Sequence, residues 1–330
     1  MGMRTETLTG LYRSGIKMCD KLFLSTAIME KNKMVSVVIT CYNYGKYLAG
    51  CLDSVLGQTY RDIEIIIVND GSTDDTDEIV KKYLSDPRVR YIKQRNAGQA
   101  NAKNIGIRSA SGEFVAFLDA DDVWASSKLE QQIPLFSDPA VGVVYCRAQY
   151  IGDDGRSLDF TTKGKYLQPR SGKVIPYLFF DNFIPFSASV VRKECLERTD
   201  LFDESLKMGI DWDLWLRISA SYLFAYVDEP LLYYRIGHSG QMSKNLEERQ
   251  RCSDRIMKKF VKENPGLLPE SVTRKAAAYT YCSRGYYYRA LDLHRSNRFY
   301  LDAIKCDLTA WNAYRGFLKN MYLLISNKPK

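Results

Sequence analysis

Phe114-Val115-Ala116-Phe117-Leu118-Asp119-Ala120-Asp121-Asp122-Val123-Trp124 is a short apolar run that stops abruptly in three carboxylates. Apolar runs of this length read as strands buried on both faces of a parallel sheet. Open α/β sheets bind ligands beyond the carboxyl ends of their strands, so Asp119, Asp121 and Asp122 belong at a rim where a ligand would lie. Clustered carboxylates with little basic cover suit a hard divalent cation, Mg²⁺ or Mn²⁺. A solvated acidic turn capping the next helix uses the same residue types, and the stretch by itself does not choose between the two.

The flanking segments supply the sheet. The β-branched run over 35–40 is a first strand. Cys41-Tyr42-Asn43-Tyr44-Gly45 follows as a turn, and 47–56 as a helix. A second strand over 62–68 ends in Asn69-Asp70-Gly71-Ser72-Thr73-Asp74, rich in turn and N-cap residues. A helix then runs to about 84, a third strand covers 89–94, and 98–108 is a loop running into a helix. This alternation predicts a parallel sheet with right-handed crossovers. Further on, strands are expected over 142–150, 187–192, 224–227 and 231–235, with a hairpin-type turn at Asp153-Asp154-Gly155, a loop over 157–173 and a helix over 211–221. From Leu246 the pattern is helical, with 271–294 and 300–314 as an antiparallel pair joined at Ser296-Asn297. The expected organisation is an N-terminal arm (1–33), an α/β domain (34–243) and a basic helical region (244–330).

Composition bounds the partners. The chain has 330 residues, 45% hydrophobic, and a net charge of +8. Residues 251–330 carry sixteen Lys/Arg against six Asp/Glu, a net of +10, so the first 250 sum to −2. Such a basic end faces something anionic, a membrane surface or an acidic glycan. No nucleic-acid recognition motif accompanies it. The eight cysteines are scattered without a C-x-x-C pair, which suggests a reducing compartment. With only His238 and His294, His-rich zinc chemistry is excluded. No run of about 18 apolar residues occurs, so the expected location is the cytoplasm or the inner face of the cell membrane.

Three strand ends should meet on one rim: Thr40-Cys41-Tyr42-Asn43, Asp70, and Asp119 with Asp121. Carboxylates or amides there can bond a base, Tyr can stack on it, and Asp with a cation can hold a diphosphate. Motifs for other chemistries on such a sheet are missing: no G-x-G-x-x-G follows the first strand, and no P-loop or G-x-S-x-G elbow occurs.

The segments VSVVITCYNYGKYLAGCLDSVLGQTY (35–60), IEIIIVNDGSTDDT (63–76), NAGQANAKNIGIRSASGEFVAFLDADDVW (96–124) and DWDLWLR (211–217) resemble the family 2 glycosyltransferases. The resemblance covers roughly 35–243. It implies a GT-A fold, a Rossmann-like, mostly parallel sheet flanked by helices, and metal-dependent sugar transfer with inversion. By position it implies that Thr40, Tyr42 and Asn43 line the nucleoside pocket and that Asp70 holds a uracil or thymine ring. Gly98 and Lys103 would lie in the loop closing over the nucleoside, Asp119 near the ribose, and Asp121 on the metal, with Asp122 in support. Asp211 would be the catalytic base and Asp213 the alternative; the family's usual Glu-Asp is Ile210-Asp211 here. His238, in a segment resembling the loop over the diphosphate, would reach phosphate or metal. Arg235 is expected to end a strand in an ion pair.

The implied chemistry is one in-line displacement, with a nucleotide-diphosphate sugar as donor, a UDP-sugar by expectation. The acceptor is a glycan or lipid-linked glycan, as in surface polysaccharide synthesis. The family's processive synthases add membrane helices and Q-x-x-R-W, which this sequence lacks, so one sugar per encounter is expected. Within the fold, a sugar nucleotidyltransferase is the alternative; from a different class, a non-catalytic nucleotide- or glycan-binding module. At the C-terminal end, Trp311, Tyr314, Phe317, Leu318, Met321, Tyr322 and Ile325 recur at helical spacing beside Arg315 and Lys319. Packing against the preceding hairpin is the first expectation for that helix, and resting on an anionic membrane the second.

Overall fold

The structure, a computed structural model, describes residues 33–159, 166–238 and 245–326. The expected N-terminal arm lies outside them, except for its last residue, as do part of the 157–173 loop and the expected boundary at 243/244.

Strands β1 (Val35–Cys41), β2 (Ile63–Asn69), β3 (Val89–Lys93) and β4 (Phe114–Asp119) are parallel, linked through helices α1 (Gly45–Leu56), α2 (Thr76–Lys81) and α3 (Gln99–Ser109). β1 and β2 are buried along nearly their whole length, as apolar runs covered on both faces require. Register fixes the rim: Thr40 stands opposite Val68 and Asp119, and Cys41 opposite Asn69. The carboxyl ends of β1, β2 and β4 are therefore level.

The remaining elements are β5 (Val123–Trp124), α4 (Lys128–Gln132), β6 (Val141–Ile151), α5 (Ile175–Leu178), β7 (Val190–Arg192), α6 (Lys193–Arg198), α7 (Ile210–Ser219) and β8 (Leu223–Arg235). One eight-stranded sheet results, in the order β3-β2-β1-β4-β7-β6-β8-β5. Its second half is mixed: β7 is antiparallel to both β4 and β6, and β5 antiparallel to β8. Two strand expectations change. The pair over 224–227 and 231–235 is one long strand, β8; Pro230 falls where its register against β6 shifts, so the missing N–H is absorbed by a bulge. The strand expected over 187–192 is only β7, because Phe186–Ala188 is a 3₁₀ turn. There the Ser187 hydroxyl accepts the Asp119 N–H and its carbonyl accepts the Trp124 indole N–H.

Aromatic packing seats α7 under this rim. Phe117 of β4 stacks on Phe186 with ring centroids 4.9 Å apart and approaches Trp215 of α7 at 6.4 Å. Leu214, Trp215 and Ile218 are fully buried, the apolar face expected of that helix.

Near the rim, Lys128 is also fully buried; its ammonium donates to Gln132 Oε1 (2.7 Å) and lies 3.9 Å from the Trp124 ring centroid. Burial pushes it down to about 8. Between that value and the ordinary lysine value of ~10.4 the folded chain holds fewer protons than the unfolded one. Stability therefore rises with pH across that window, and the full cost of the buried charge applies below it. Desolvation of several kcal/mol exceeds the ~2 kcal/mol that a buried cation–π contact returns. Lys128→Met removes that cost but takes the donor from buried Gln132 Oε1, so Lys128→Met with Gln132→Leu is expected to be more stable than Lys128→Met alone, as melting curves at pH 7 would register.

Helices α8 (Leu246–Glu263), α9 (Glu270–Tyr288), α10 (Leu293–Cys306) and α11 (Trp311–Ile325) complete the described chain. Ser296-Asn297 is not the expected joint; it lies inside α10 and is buried. Asp292 caps α10 by accepting the Arg295 N–H, and the Ser296 hydroxyl donates to the Gly285 carbonyl. These polar residues serve helix packing, and the breaks fall at 289–292 and 307–310. Phe260 of α8 lies 5.8 Å from Phe179, fastening the helical region to the α/β part.

Candidate active site

Asp119 ends β4 and is paired with Lys103, whose ammonium sits 2.7 Å from Asp119 Oδ1 and 3.3 Å from Thr40 Oγ1. Lys103 is not in a loop, as expected, but buried one turn into α3 and 4.2 Å from the Phe186 ring. It is thus a fixed charge behind the rim. Asp121 Oδ2 is 2.9 Å from His238 Nε2. Burial foremost, then the Asp119 charge, pushes the Asp121 carboxyl up to about 6, against the pull of His238. Asp122 is more deeply buried: Oδ1 accepts the Arg235 N–H, and the Ser187 hydroxyl also bonds to its carboxyl. Burial holds its carboxyl well above the usual range.

Arg235 does end β8, but in place of the expected ion pair its guanidinium donates to three carbonyls, those of Asp121 (2.9 Å), Gly152 (2.8 Å) and Asp153 (3.0 Å). It also faces the Tyr47 ring at 4.9 Å. The Asp153 carboxylate takes hydrogen bonds from Lys46 and Tyr47, so the turn after β6 is strapped to α1. Tyr44 and Tyr47 wall the His238 ring, with centroids 5.6 and 5.5 Å away.

The residues expected around a nucleoside gather at the ends of β1 and β2. Tyr42 is exposed, as a stacking surface must be. Asn43 joins the two loops: its N–H donates to Ser72 Oγ and its Oδ1 accepts the Thr73 N–H. Asp70 accepts from Gln94 Nε2 and the Ala97 N–H on Oδ1, and from the Gly98 N–H on Oδ2. Three of its roughly four acceptor positions are filled, leaving one for a ligand.

Asp211 lines a cavity together with Asp119 and Lys103. It is the second residue of α7, which starts from Gly209 in the left-handed conformation (φ 70°), so Asp211 is not the helix cap. Asn182 Nδ2 donates to its Oδ2 at 2.8 Å. Burial raises the carboxyl above the ordinary range, against the Trp212 N–H, the Lys103 charge and Asn182. Asp213 points elsewhere: its carboxylate is held by Arg217 (2.7 Å) and by Lys259 of α8 (3.3 Å), and it does not line the cavity. Ile256 of α8 meets Gly209 so closely that a Cβ there would lie 3.1 Å from its Cδ1.

Asp211, Lys103 and Asp119 share a cavity of ≈ 750 Å³. Helices α8 and α9 add Arg249, Gln250, Ser253, Tyr279 and Tyr287 to its lining. Most lining residues are not among the site residues expected from the sequence, and Asn182 and Tyr234 are two of them. Asn182 has no periodic or motif signal. Tyr234 sits among Asp119, Asp121, Asp122 and Asp211, and their charges, after burial, raise its phenol; its place just before Arg235 is the only hint that the sequence offers.

The rim fits a divalent cation on its own chemistry: the carboxyls of Asp119, Asp121 and Asp122 cluster there, that of Asp121 is raised chiefly by burial, and an imidazole lies against it. Among the described residues no three such side chains form a closed cage. Asp121 and His238 would be the protein ligands, which suits a cation that takes one or two side chains and completes its shell on phosphate oxygens.

A model of glycosyl transferase family 2 matches residues 36–197. An uncharacterised glycosyltransferase of Nostoc sp. is 36% identical over 222 residues, 63% of this chain and 67% of that one. This chain belongs to glycosyltransferase family 2. It spans between 22% and 73% of the lengths of eight curated relatives that it matches. Among solved structures, Staphylococcus aureus TarS (residues 1–349) in complex with UDP-GlcNAc superposes with a TM-score of 0.64 at 18% identity, over 87% of this chain and 89% of that one. The Pyrobaculum calidifontis mannosyltransferase in complex with GDP-Man and Mn²⁺ superposes with a TM-score of 0.59 at 17% identity, over 89% and 88%. The transferase thus has the expected GT-A-like sheet with a helical C-terminal region, and the reading as a non-catalytic module falls away. Asp211 lies beyond the segment that the family model matches.

Proposed function

We propose that this glycosyltransferase moves one sugar, with inversion, from a UDP-sugar to a hydroxyl of a glycan or lipid-linked glycan. The observation that supports this reading is one cavity lined both by Asp211, whose Oδ2 takes the Asn182 amide, and by Asp119, Lys103 and Tyr234. Inversion needs a base on the face of the sugar away from the leaving group. Asp211 takes that part, accepting the acceptor proton on Oδ1 while Asn182 holds Oδ2. Tyr42, Asn43 and Asp70 take the nucleoside, and Gly98 closes that pocket through its bond to Asp70. Lys103 keeps Asp119 oriented towards the ribose. Asp121 and His238 hold Mn²⁺ or Mg²⁺, with Asp122 in support; bound there, the cation supplies charge neutralisation for a departing diphosphate.

The acceptor lies against α8 and α9, where Tyr279 and Tyr287 offer apolar faces and Arg249 a cationic group. The division into a catalytic part (34–243) and an acceptor-facing part (244–330) follows the same reading. The relatives' complexes with UDP-GlcNAc and with GDP-Man and Mn²⁺ support a nucleotide-sugar donor in a fold of this kind.

A panel of sugar nucleotides with Mn²⁺ or Mg²⁺, scored by thermal shift and slow donor hydrolysis, tests the reading. UDP and one UDP-sugar should raise Tm only with cation present. Stabilisation by GDP or dTDP nucleotides alone would reassign the donor, and stabilisation indifferent to cation would remove the metal.

A further inference from the structure

Helix α11 is amphipathic in the reverse sense. Its inner face is small and polar: Ala313, Gly316 and Asn320 are its buried residues. Gly316 is required there, since a Cβ would lie 2.3 Å from the Tyr300 ring. The Arg289 guanidinium donates to Asn320 Oδ1, the Tyr300 hydroxyl and the Gly316 carbonyl, so this side is closed by polar bonding. Phe317 packs against the inner cluster, but four other large apolar side chains point outward. Trp311 is 73% exposed, Leu318 65%, Tyr322 71% and Ile325 78%. At spacings of seven, four and three they form one stripe along the helix. Water-soluble helices turn such residues inward, and a contiguous exposed stripe marks a docking surface.

We propose that this outer face of α11 binds an anionic membrane surface. Charge selects the occupant. Arg315 and Lys319 are exposed on the same face, between the apolar residues, and neither has an ion pair among the described residues. No Asp or Glu occurs in the helix. A second copy docked two-fold onto the stripe would set these cations against their own duplicates with no acid to answer them. Anionic headgroups answer them directly, while Trp and Tyr rings favour the headgroup level and Leu and Ile the acyl boundary. Nucleic acid would satisfy the cations but not the apolar stripe. The sequence continues with Lys328 and Lys330 within a C-terminal eighty residues of net charge +10, which adds to the attraction. Resting on the proposed function, this docking keeps the cavity wall of α8 and α9 at the surface where a lipid-linked acceptor is presented.

Flotation of the full chain with phosphatidylglycerol-containing vesicles, against phosphatidylcholine vesicles, tests the proposal at low and high salt. The wild type should float with the anionic vesicles only, and less so at high salt. Leu318→Glu with Tyr322→Glu should weaken binding at least tenfold with unchanged circular dichroism. Arg315→Gln with Lys319→Gln should weaken it and flatten the salt dependence. Equal recovery with and without vesicles overturns the proposal. So does a concentration-dependent dimer that Leu318→Glu dissociates, which would assign the face to a second copy. The cation-dependent thermal shift with UDP reads the donor site separately, so loss of vesicle binding and failure of the transferase reading are told apart.

Discussion

Asp211→Asn is expected to lower turnover by ~10²–10⁴, the range for loss of a positioned general base, while UDP still binds. The substitution keeps the shape of the side chain, and with it the Asn182 contact, but removes the ability to accept a proton. Single-turnover sugar transfer and nucleotide titration, measured together, separate the two. Full turnover in the variant would sink the assignment. The pH profile adds a second reading. Burial raises the Asp211 carboxyl, and its protonated form is inactive, so the acid limb of turnover should lie above the ordinary Asp value of ~3.9. The same shift has a sign for stability. Between ~3.9 and its raised value the folded chain binds more protons than the unfolded chain, so stability falls as pH rises through that window. At neutral pH the native carboxylate therefore costs stability, and Asp211→Asn should melt no lower than the wild type.

Asp121→Ala should abolish the cation-dependent part of nucleotide binding. For the wild type, UDP at a hundred times its dissociation constant stabilises by ~2.7 kcal/mol; in the variant the increment added by Mn²⁺ should vanish. Thermal shift with UDP, with and without Mn²⁺, measures it, and an unchanged cation increment would contradict the assignment. Acidity acts at the same place. A carboxyl pushed up to about 6 binds a proton in competition with a cation. The Mn²⁺ increment should therefore fall as the pH is lowered through 6 in the wild type.

Much of the donor side is legible in the sequence because it depends on strand ends. Apolar runs stop where the sheet stops, so counting strands brings Thr40, Asp70 and Asp119 to one rim, and the register confirms that these strand ends are level. Asp211 is reached by motif and lies on the cavity. The same reasoning fails where tertiary contacts decide. Ser296 and Asn297 have turn chemistry, yet they bond across helices inside α10. Pro230 separates two strand patterns that a bulge joins. Lys103 stands beside a glycine-containing loop in sequence and is a buried helix residue in space. Helices α8 and α9 are legible as helices, but that they and Asn182 line this cavity depends on tertiary packing, which no local pattern carries.

That packing sets the size of the smallest working unit. The helix bearing Asp211 is held from beyond the family-matched segment, through Ile256 against Gly209 and Lys259 on Asp213. A fragment trimmed to that segment would keep Thr40, Asp70 and Asp119 but lose His238 and Arg235 beside Asp121, as well as Asp211 and its support. On the proposed roles, donor binding and turnover therefore both draw on chain beyond that segment.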